Sequence, residues 1–182
     1  MSTTTYISDP VTLGTGLLLA RLVFGTLMVG HGTQKLFGWF GGYGIAGTGQ
    51  FLEQLDFRPG RVQAALAGTA ELVGGLFLAA GFLTPAAAAA IVAVMLVAAV
   101  SVHIKKGFFA TNGGYEYTLV LGGAALALAF TGPGAFSLDQ ALGISWSGDT
   151  WGLAALAAGL IGGAVPLLAR KTARPSAAPG AA

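Results

Sequence analysis

The stretch LLLARLVFGTLMVGHGTQKLFGWF, residues 17–40, decides the fold class. It is long enough to cross a lipid bilayer as a helix, yet it carries Arg21 near its middle and His31 and Lys35 towards its far end. A charged side chain at membrane depth costs roughly 2.5–3.5 kcal/mol on insertion scales, so it needs a partner helix or a wet cavity. The stretch therefore predicts an intramembrane polar site.

A helix turns by about 100° per residue, which places one small and polar face around Arg21. The residues within roughly 40° of Arg21 are Gly14, Gly25, Met28, Gly32 and Lys35, and His31 lies about 80° away. Leu19, Val23 and Leu27 point the other way. Because close helix contacts in membranes rely on small residues, we expect the Arg21 face to meet other helices and the branched face to meet lipid.

The composition is that of a polytopic membrane protein. Of 182 residues, 54% are hydrophobic and only 9% are charged, which is far from the usage of a soluble domain. The net charge of +2 comes from scattered Lys and Arg, so no nucleic-acid partner is indicated and membrane lipid is the expected surrounding. The chain has no Cys, which excludes thiol chemistry and cysteine-ligated iron–sulfur centres, and no metal site is predicted.

Five apolar segments predict an all-α bundle of membrane helices. They cover about 12–31, 62–83, 85–104, 116–131 and 151–169, against the ~20 residues that a span requires. The fourth is short and the fifth contains Pro166, so a four-helix core with a surface-lying fifth segment is the alternative. Lys and Arg fall in alternate loops, and the positive-inside rule then places the N-terminus outside and the C-terminus in the cytoplasm.

Four regions follow from this pattern. They are an N-terminal tail (1–11), a four-helix membrane domain (12–142), an outer loop with the fifth helix (143–169) and a disordered cytoplasmic tail (170–182). In the first loop, Thr48 is expected to cap a short helix over 49–55, and Ser137 is a plausible cap in the outer loop. Gly159 and Gly163 form a packing motif that could serve a helix contact or a homo-oligomer contact.

Two segments of similar sequence suggest an ion pair between the first two spans. Ala20-Arg21-Leu22-Val23 resembles Ala70-Glu71-Leu72-Val73, which would place opposite charges at comparable depth. We expect Arg21 to pair with Glu71. The pair could be a helix clamp alone, because buried ion pairs often specify packing.

A second polar group is predicted at the cytoplasmic ends of the helices. His31, Lys35, His103 and Glu116 could converge on a shallow cavity and exchange protons with a quinone headgroup, since histidine titrates near neutrality. Each could also have only a structural role, such as a lysine that reaches the interface. Two histidines could ligate a haem, but the pair alone is weak evidence, and no intrinsic cofactor is predicted.

Three segments resemble the bacterial DoxX family. They are ARLVFGTLMVGHGTQKLFGWFGGYGIAGTGQFLEQL, AELVGGLFLAAGFLTP and VHIKKGFFATNGGYEYTLVLGGAALALAFTGPGAFSLDQAL, within residues 15–142. The resemblance implies a four-helix inner-membrane protein associated with redox systems, with the fifth span as a C-terminal extension. The recurrent polar positions of that family correspond here to Arg21, His31, Lys35, Glu71, His103, Asn112 and Glu116, which adds Asn112 to the expected headgroup site.

Three functions are therefore expected in decreasing order. The first is a membrane anchor and quinone-facing subunit of an oxidoreductase complex, with redox enzyme subunits as partners and a quinone bound as substrate. The second is a non-catalytic scaffold that gathers partner enzymes through the aromatic first loop. The third is a small proton-coupled transporter, which the sequence favours less because no pair of broken helices is evident.

Overall fold

A computed structural model describes residues 9–170, so the predicted tails before residue 9 and after residue 170 lie outside the described residues. Within 9–170 the regular structure is entirely helical, and the predicted all-α bundle is confirmed. The α-helices are α1 (Pro10–Phe37), α2 (Gly44–Gln54), α3 (Gly60–Ala80), α4 (Thr84–Ala98), α5 (Glu116–Thr131), α6 (Leu138–Ala141) and α7 (Asp149–Ala169). A π turn (Ala99–His103) and a 3-10 turn (Ile104–Lys106) extend α4.

The five predicted apolar segments are all helical. Four of the described helices are long and apolar enough to cross a membrane: α1, α3, α7 and α4 with its extension to Lys106. The fifth, α5, is apolar but has only 16 residues. The first helix is longer than expected, because Asp9 caps its start and Gly38, with φ 74°, ends it.

Four helices form a ring, and α7 packs outside it. In the ring, α1 packs against α3, α3 against α4, α4 against α5, and α5 touches α1. Helix α7 lies along α4 in the same direction, since Gly159 meets Val92 and Gly163 meets Leu96. The alternative of a surface-lying fifth segment is therefore not supported. Gly159 and Gly163 are buried against α4 of the same chain, so of the two contacts expected for this motif the helix contact is the one observed.

Glycines bring α1 and α3 into backbone contact. A Cβ added to Gly25 would lie 2.7 Å from the Gly75 carbonyl oxygen, and one added to Gly32 would lie 2.8 Å from the Gly68 carbonyl oxygen. The predicted inward face is confirmed, because Gly25 and Gly32 are buried with Arg21 and Met28, while Leu19, Val23 and Leu27 are exposed. Such close approach is typical of helix packing in membranes.

The first loop differs from its prediction. Helix α2 begins at Gly44 rather than Gly49, no side chain caps it, and Thr48 is buried inside it. The reason is that Gly44 takes φ 62°, which lets the chain turn into a helix early, and Gly49 then approaches the backbone of Arg61. The loop therefore folds as a short helix held against the start of α3.

The outer loop agrees better with its prediction. The Ser137 side chain accepts a hydrogen bond from the Gln140 N–H and caps α6, as expected. Trp146 and Trp151 stack with ring centroids 4.6 Å apart. The outer loop is therefore ordered against the ends of the spans.

The glycine contact between α1 and α3 can be tested by adding one methyl group. We expect Gly32→Ala to destabilise the bundle by about 1–3 kcal/mol, because the new Cβ would lie within 2.8 Å of the Leu72 Cα. Gly30→Ala is the matched control, since nothing lies within 4 Å of a Cβ there and alanine favours a helix. Thermal unfolding in detergent measures both variants, and equal melting temperatures would contradict the packing described.

Candidate functional site

A buried ion pair links α1 and α3. The Lys35 ammonium donates hydrogen bonds to both carboxylate oxygens of Glu71, at 2.8 Å and 2.6 Å. The Glu71 side chain is only 2% exposed, whereas that of Lys35 is 29% exposed. Lysine thus reaches from the helix end to neutralise a carboxylate that has no access to water of its own.

The predicted ion pair between Arg21 and Glu71 is wrong. The glycine contacts set α1 and α3 antiparallel, with Gly32 level with Gly68–Leu72 and Gly25 level with Gly75–Ala79. Arg21 therefore lies level with the end of α3, about eight residues or roughly 12 Å from Glu71. The similarity of the two sequences does not place the charges at one depth, because the helices run in opposite directions.

Arg21 binds backbone carbonyls instead of a carboxylate. Its guanidinium is fully buried and donates to the carbonyl oxygens of Ala79 and Phe136. Its Nε is the buried side-chain nitrogen that finds no partner within residues 9–170. Since Ala79 lies in the last turn of α3, the cation meets the negative end of that helix dipole.

Asp139 is a buried acid that the sequence analysis missed. Its carboxylate accepts hydrogen bonds from the N–H groups of Leu83 and Thr84, at 2.8 Å and 3.1 Å, and from the Thr84 hydroxyl at 2.8 Å. It is 1% exposed and its charge acts on Arg21. The available signal was that Asp139 is the one acid in the outer loop, residues 132–148.

His31 meets a tyrosine from α5. The His31 Nε2 and the Tyr117 hydroxyl are 3.2 Å apart, and the two rings are edge to face with centroids 5.7 Å apart. Tyr117 is 39% exposed and His31 is half-buried, so the pair faces the membrane side of the α1–α5 contact. Tyr117 was not among the predicted site residues.

The other predicted headgroup residues form a separate group. The His103 Nδ1 donates to the Gly113 carbonyl oxygen at 2.6 Å, and the Glu116 carboxylate accepts from the Ala110 N–H at 2.7 Å. Asn112 is exposed at the end of a second 3-10 turn, Ala110–Asn112, which these contacts hold. His103 and Glu116 therefore close the loop 107–116.

The structure thus divides the predicted site in two. His31 and Lys35 lie on consecutive turns of α1, and Tyr117 and Glu71 meet them from the two flanking helices. We call these four residues the α1 polar group. The group offers an imidazole, a phenol and a paired ammonium and carboxylate at the end of the bundle where Lys35, Arg61 and Lys105 lie, which we call the basic end. These groups can donate hydrogen bonds to a polar headgroup, accept hydrogen bonds from it and hold protons beside it.

Comparisons with known proteins place these residues in a membrane-protein context. The DoxX family model matches residues 16–104, which include Arg21, His31, Lys35, Glu71 and His103. The inner membrane protein YqjF of Escherichia coli K12 is 32% identical over 131 residues, which are 72% of this chain and 95% of that protein. No solved structure matches the chain.

Charge reversal distinguishes the observed pair from the predicted one. We expect Glu71→Gln to cost roughly 3 kcal/mol, the low end for a broken buried pair, because Lys35 can still reach water. The double variant Lys35→Glu with Glu71→Lys should be more stable than either of its own single variants, whereas Arg21→Glu with Glu71→Arg should be no more stable than either of its own. Thermal unfolding of the single and double variants in detergent measures this coupling, and recovery by the Arg21 double variant would contradict the register.

Proposed function

Because the chain belongs to the DoxX family and is an integral membrane protein, we propose that it is the membrane anchor and quinone-facing subunit of an oxidoreductase complex. The observation that carries this proposal is the exposed pair of His31 and Tyr117 beside the buried pair of Lys35 and Glu71. Burying four titratable side chains at one end of an apolar bundle costs free energy, and ionisable residues within membrane helices commonly mark a functional site.

The depth of the His31–Tyr117 pair suits a quinone headgroup. His31 lies six residues before the end of α1, and Tyr117 is the second residue of α5. Both therefore lie near the basic end of the spans, where a polar ring on a lipid-like tail would reside. Imidazole and phenol can each donate a hydrogen bond to a carbonyl oxygen of that ring.

The neighbouring ion pair would support proton exchange. Reduction of a quinone to a quinol adds two electrons and two protons, one proton to each carbonyl oxygen. In this proposal the electrons come from a redox partner subunit, and His31 and Tyr117 hold protons at the ring. Lys35, one turn along α1 and partly exposed, connects that position with the water at the basic end.

The proposal includes an orientation. Lys35, Arg58, Arg61, Lys105, Lys106 and Arg170 all lie at the basic end, and the positive-inside rule makes that end cytoplasmic. The redox partner subunit would then dock from the cytoplasm.

A second candidate, a non-catalytic scaffold, rests on exposed aromatic residues in the first loop. Trp39, Phe40 and Tyr43 are 57%, 77% and 83% exposed, and they follow directly on the end of α1. Some of this surface would be covered by lipid at the interface. The rest could bind partner enzymes without any use of the α1 polar group.

Binding of a short-chain quinone tests the first candidate. We expect His31→Ala and Tyr117→Phe each to weaken binding roughly two- to twelvefold, since each removes one hydrogen bond worth about 0.5–1.5 kcal/mol. Tyr43→Phe is the matched control, because Tyr43 is 83% exposed and lies outside the α1 polar group. Titration of the purified full-length protein with the quinone measures this, and a wild-type protein that binds no quinone would refute the proposal.

Partner retention separates the two candidates. If the chain is only a scaffold, its association with redox enzymes should survive His31→Ala and Tyr117→Phe and be lost in the double variant Phe40→Ser with Tyr43→Ser. If the chain is instead the quinone-facing subunit, membrane quinone reduction should fall in His31→Ala and in Tyr117→Phe. Co-purification and quinol formation, measured on the same membranes, give both readouts. Unchanged quinol formation in His31→Ala would favour the scaffold.

A further inference from the structure

An apolar cavity lies between α3 and α7, away from the α1 polar group. Its volume is about 420 Å³, within the size range of ligand pockets. Its lining includes small residues of three helices, and none of the predicted headgroup residues takes part. The residues that matter here are Gln63, Ala67 and Ala70 of α3, Ala90 and Ala93 of α4, and Gly162 and Pro166 of α7.

The cavity is elongated along the helices. Its lining runs from Gln63 to Ala70 on α3, from Ala90 to Val97 on α4 and from Gly162 to Ala169 on α7. Each run covers seven residue steps, or about 10 Å of helix. One leaflet of a membrane has about 15 Å of hydrocarbon, so the cavity follows a lipid chain through most of one leaflet.

The cavity opens sideways to the membrane and is closed at the basic end. Helices α3 and α7 both pack against α4 but have almost no contact with each other, which leaves a gap between them. Leu52 of α2 and the buried Phe57 line the end towards the loops. A chain can therefore enter from the lipid phase but not from water.

A cation lies at the closed end. The Arg170 guanidinium carbon is 5.3 Å from the centre of the Phe57 ring, and its NH1 donates to the Ser101 hydroxyl at 3.4 Å. A guanidinium carries five donors in a fork, so Arg170 can bind Ser101 and a phosphate together. Ala169, the neighbour of Arg170 in the chain, belongs to the cavity lining. The Arg170 charge therefore lies at the basic end of the cavity, near the membrane interface.

We propose that this cavity holds one acyl chain of an anionic phospholipid, whose phosphate is bound by Arg170. The size and direction of the cavity fit a chain, and the cation at its interfacial end fits an anion better than a neutral quinone ring. Basic sites beside membrane helices are known to bind acidic lipid headgroups. The inference does not depend on the quinone proposal, because the two sites share no residue.

Native mass spectrometry of the full-length protein tests it. The protein is reconstituted in vesicles with equal amounts of phosphatidylglycerol and phosphatidylcholine, gently extracted and analysed for retained lipid. We expect one retained phosphatidylglycerol and roughly a tenfold preference over phosphatidylcholine. Both lipids carry a phosphate, but the trimethylammonium of phosphatidylcholine compensates its charge and is repelled by Arg170, so the net-anionic lipid gains more from this cation. Arg170→Gln should abolish the preference, and Ala70→Leu should reduce retention of both lipids by filling the cavity.

Two controls carry matched changes elsewhere. Arg58→Gln removes an exposed cation at the same end, and Ala157→Leu enlarges an exposed residue of α7 outside the cavity. Both should retain lipid as the wild type does. If Ala70→Leu fails to fold in a thermal unfolding assay, Ala67→Val fills the same cavity with a smaller change. Three results would overturn the proposal. The wild type could retain the two lipids equally, Arg58→Gln and Arg170→Gln could reduce the preference for phosphatidylglycerol equally, or a quinone could be retained in place of phospholipid.

Discussion

The backbone contact between α1 and α3 is the constraint on which the arrangement of charges depends. Four glycines, Gly25, Gly32, Gly68 and Gly75, remove the side chains that would otherwise separate the two helices. Such contacts allow little sliding, because a shift of one residue would drive a Cβ into a carbonyl. The register is therefore fixed, and with it the choice of Lys35 rather than Arg21 as the partner of Glu71.

Buried charges are stabilised in different ways at the two ends of the bundle. Away from the basic end, Arg21 binds a carbonyl in the last turn of α3, while Asp139 accepts from the first N–H groups of α4. Each charge complements the helix dipole that it meets, so both can be buried without a direct ion pair. The Asp139 N–H also donates to the Gly81 carbonyl, which ties the outer loop to the turn between α3 and α4.

The polar side chains at the basic end are less deeply buried than Arg21 and Asp139 at the other end. Lys35 and Tyr117 are partly exposed, and the hydrogen bond between His31 and Tyr117 joins helices that otherwise touch little. A pair of this kind can exchange its partner for a ligand at small cost. Arg21 and Asp139, with almost no exposure, cannot. This difference in exposure agrees with the proposed ligand site at the basic end.

The helices and their inward faces could be predicted from the sequence, but the contacts between charges could not. The spacing of Gly25, Met28 and Gly32 around Arg21 defines a face whatever its partner is. The depth at which Arg21 meets α3 depends on which glycines of α1 contact which glycines of α3. Helix α3 contains several glycines, so the sequence alone allowed other registers. His103 and Glu116 were expected at one site because both lie at helix ends. Their backbone partners, Gly113 and Ala110, come from the intervening loop, whose fold the pattern did not specify.

Helix α7 lies beyond the residues that the family model matches. Residues 16–104 contain the glycine contact and the pair of Lys35 with Glu71, so this core needs nothing from α7. The cavity does need it, because Gly162, Val165, Pro166 and Ala169 supply one wall, and Arg170 follows directly. Without α7, the same small residues of α3 and α4 would be an open surface in contact with fluid lipid. Helix α7 therefore turns this surface of α3 and α4 into a cavity that stays open on its lipid side.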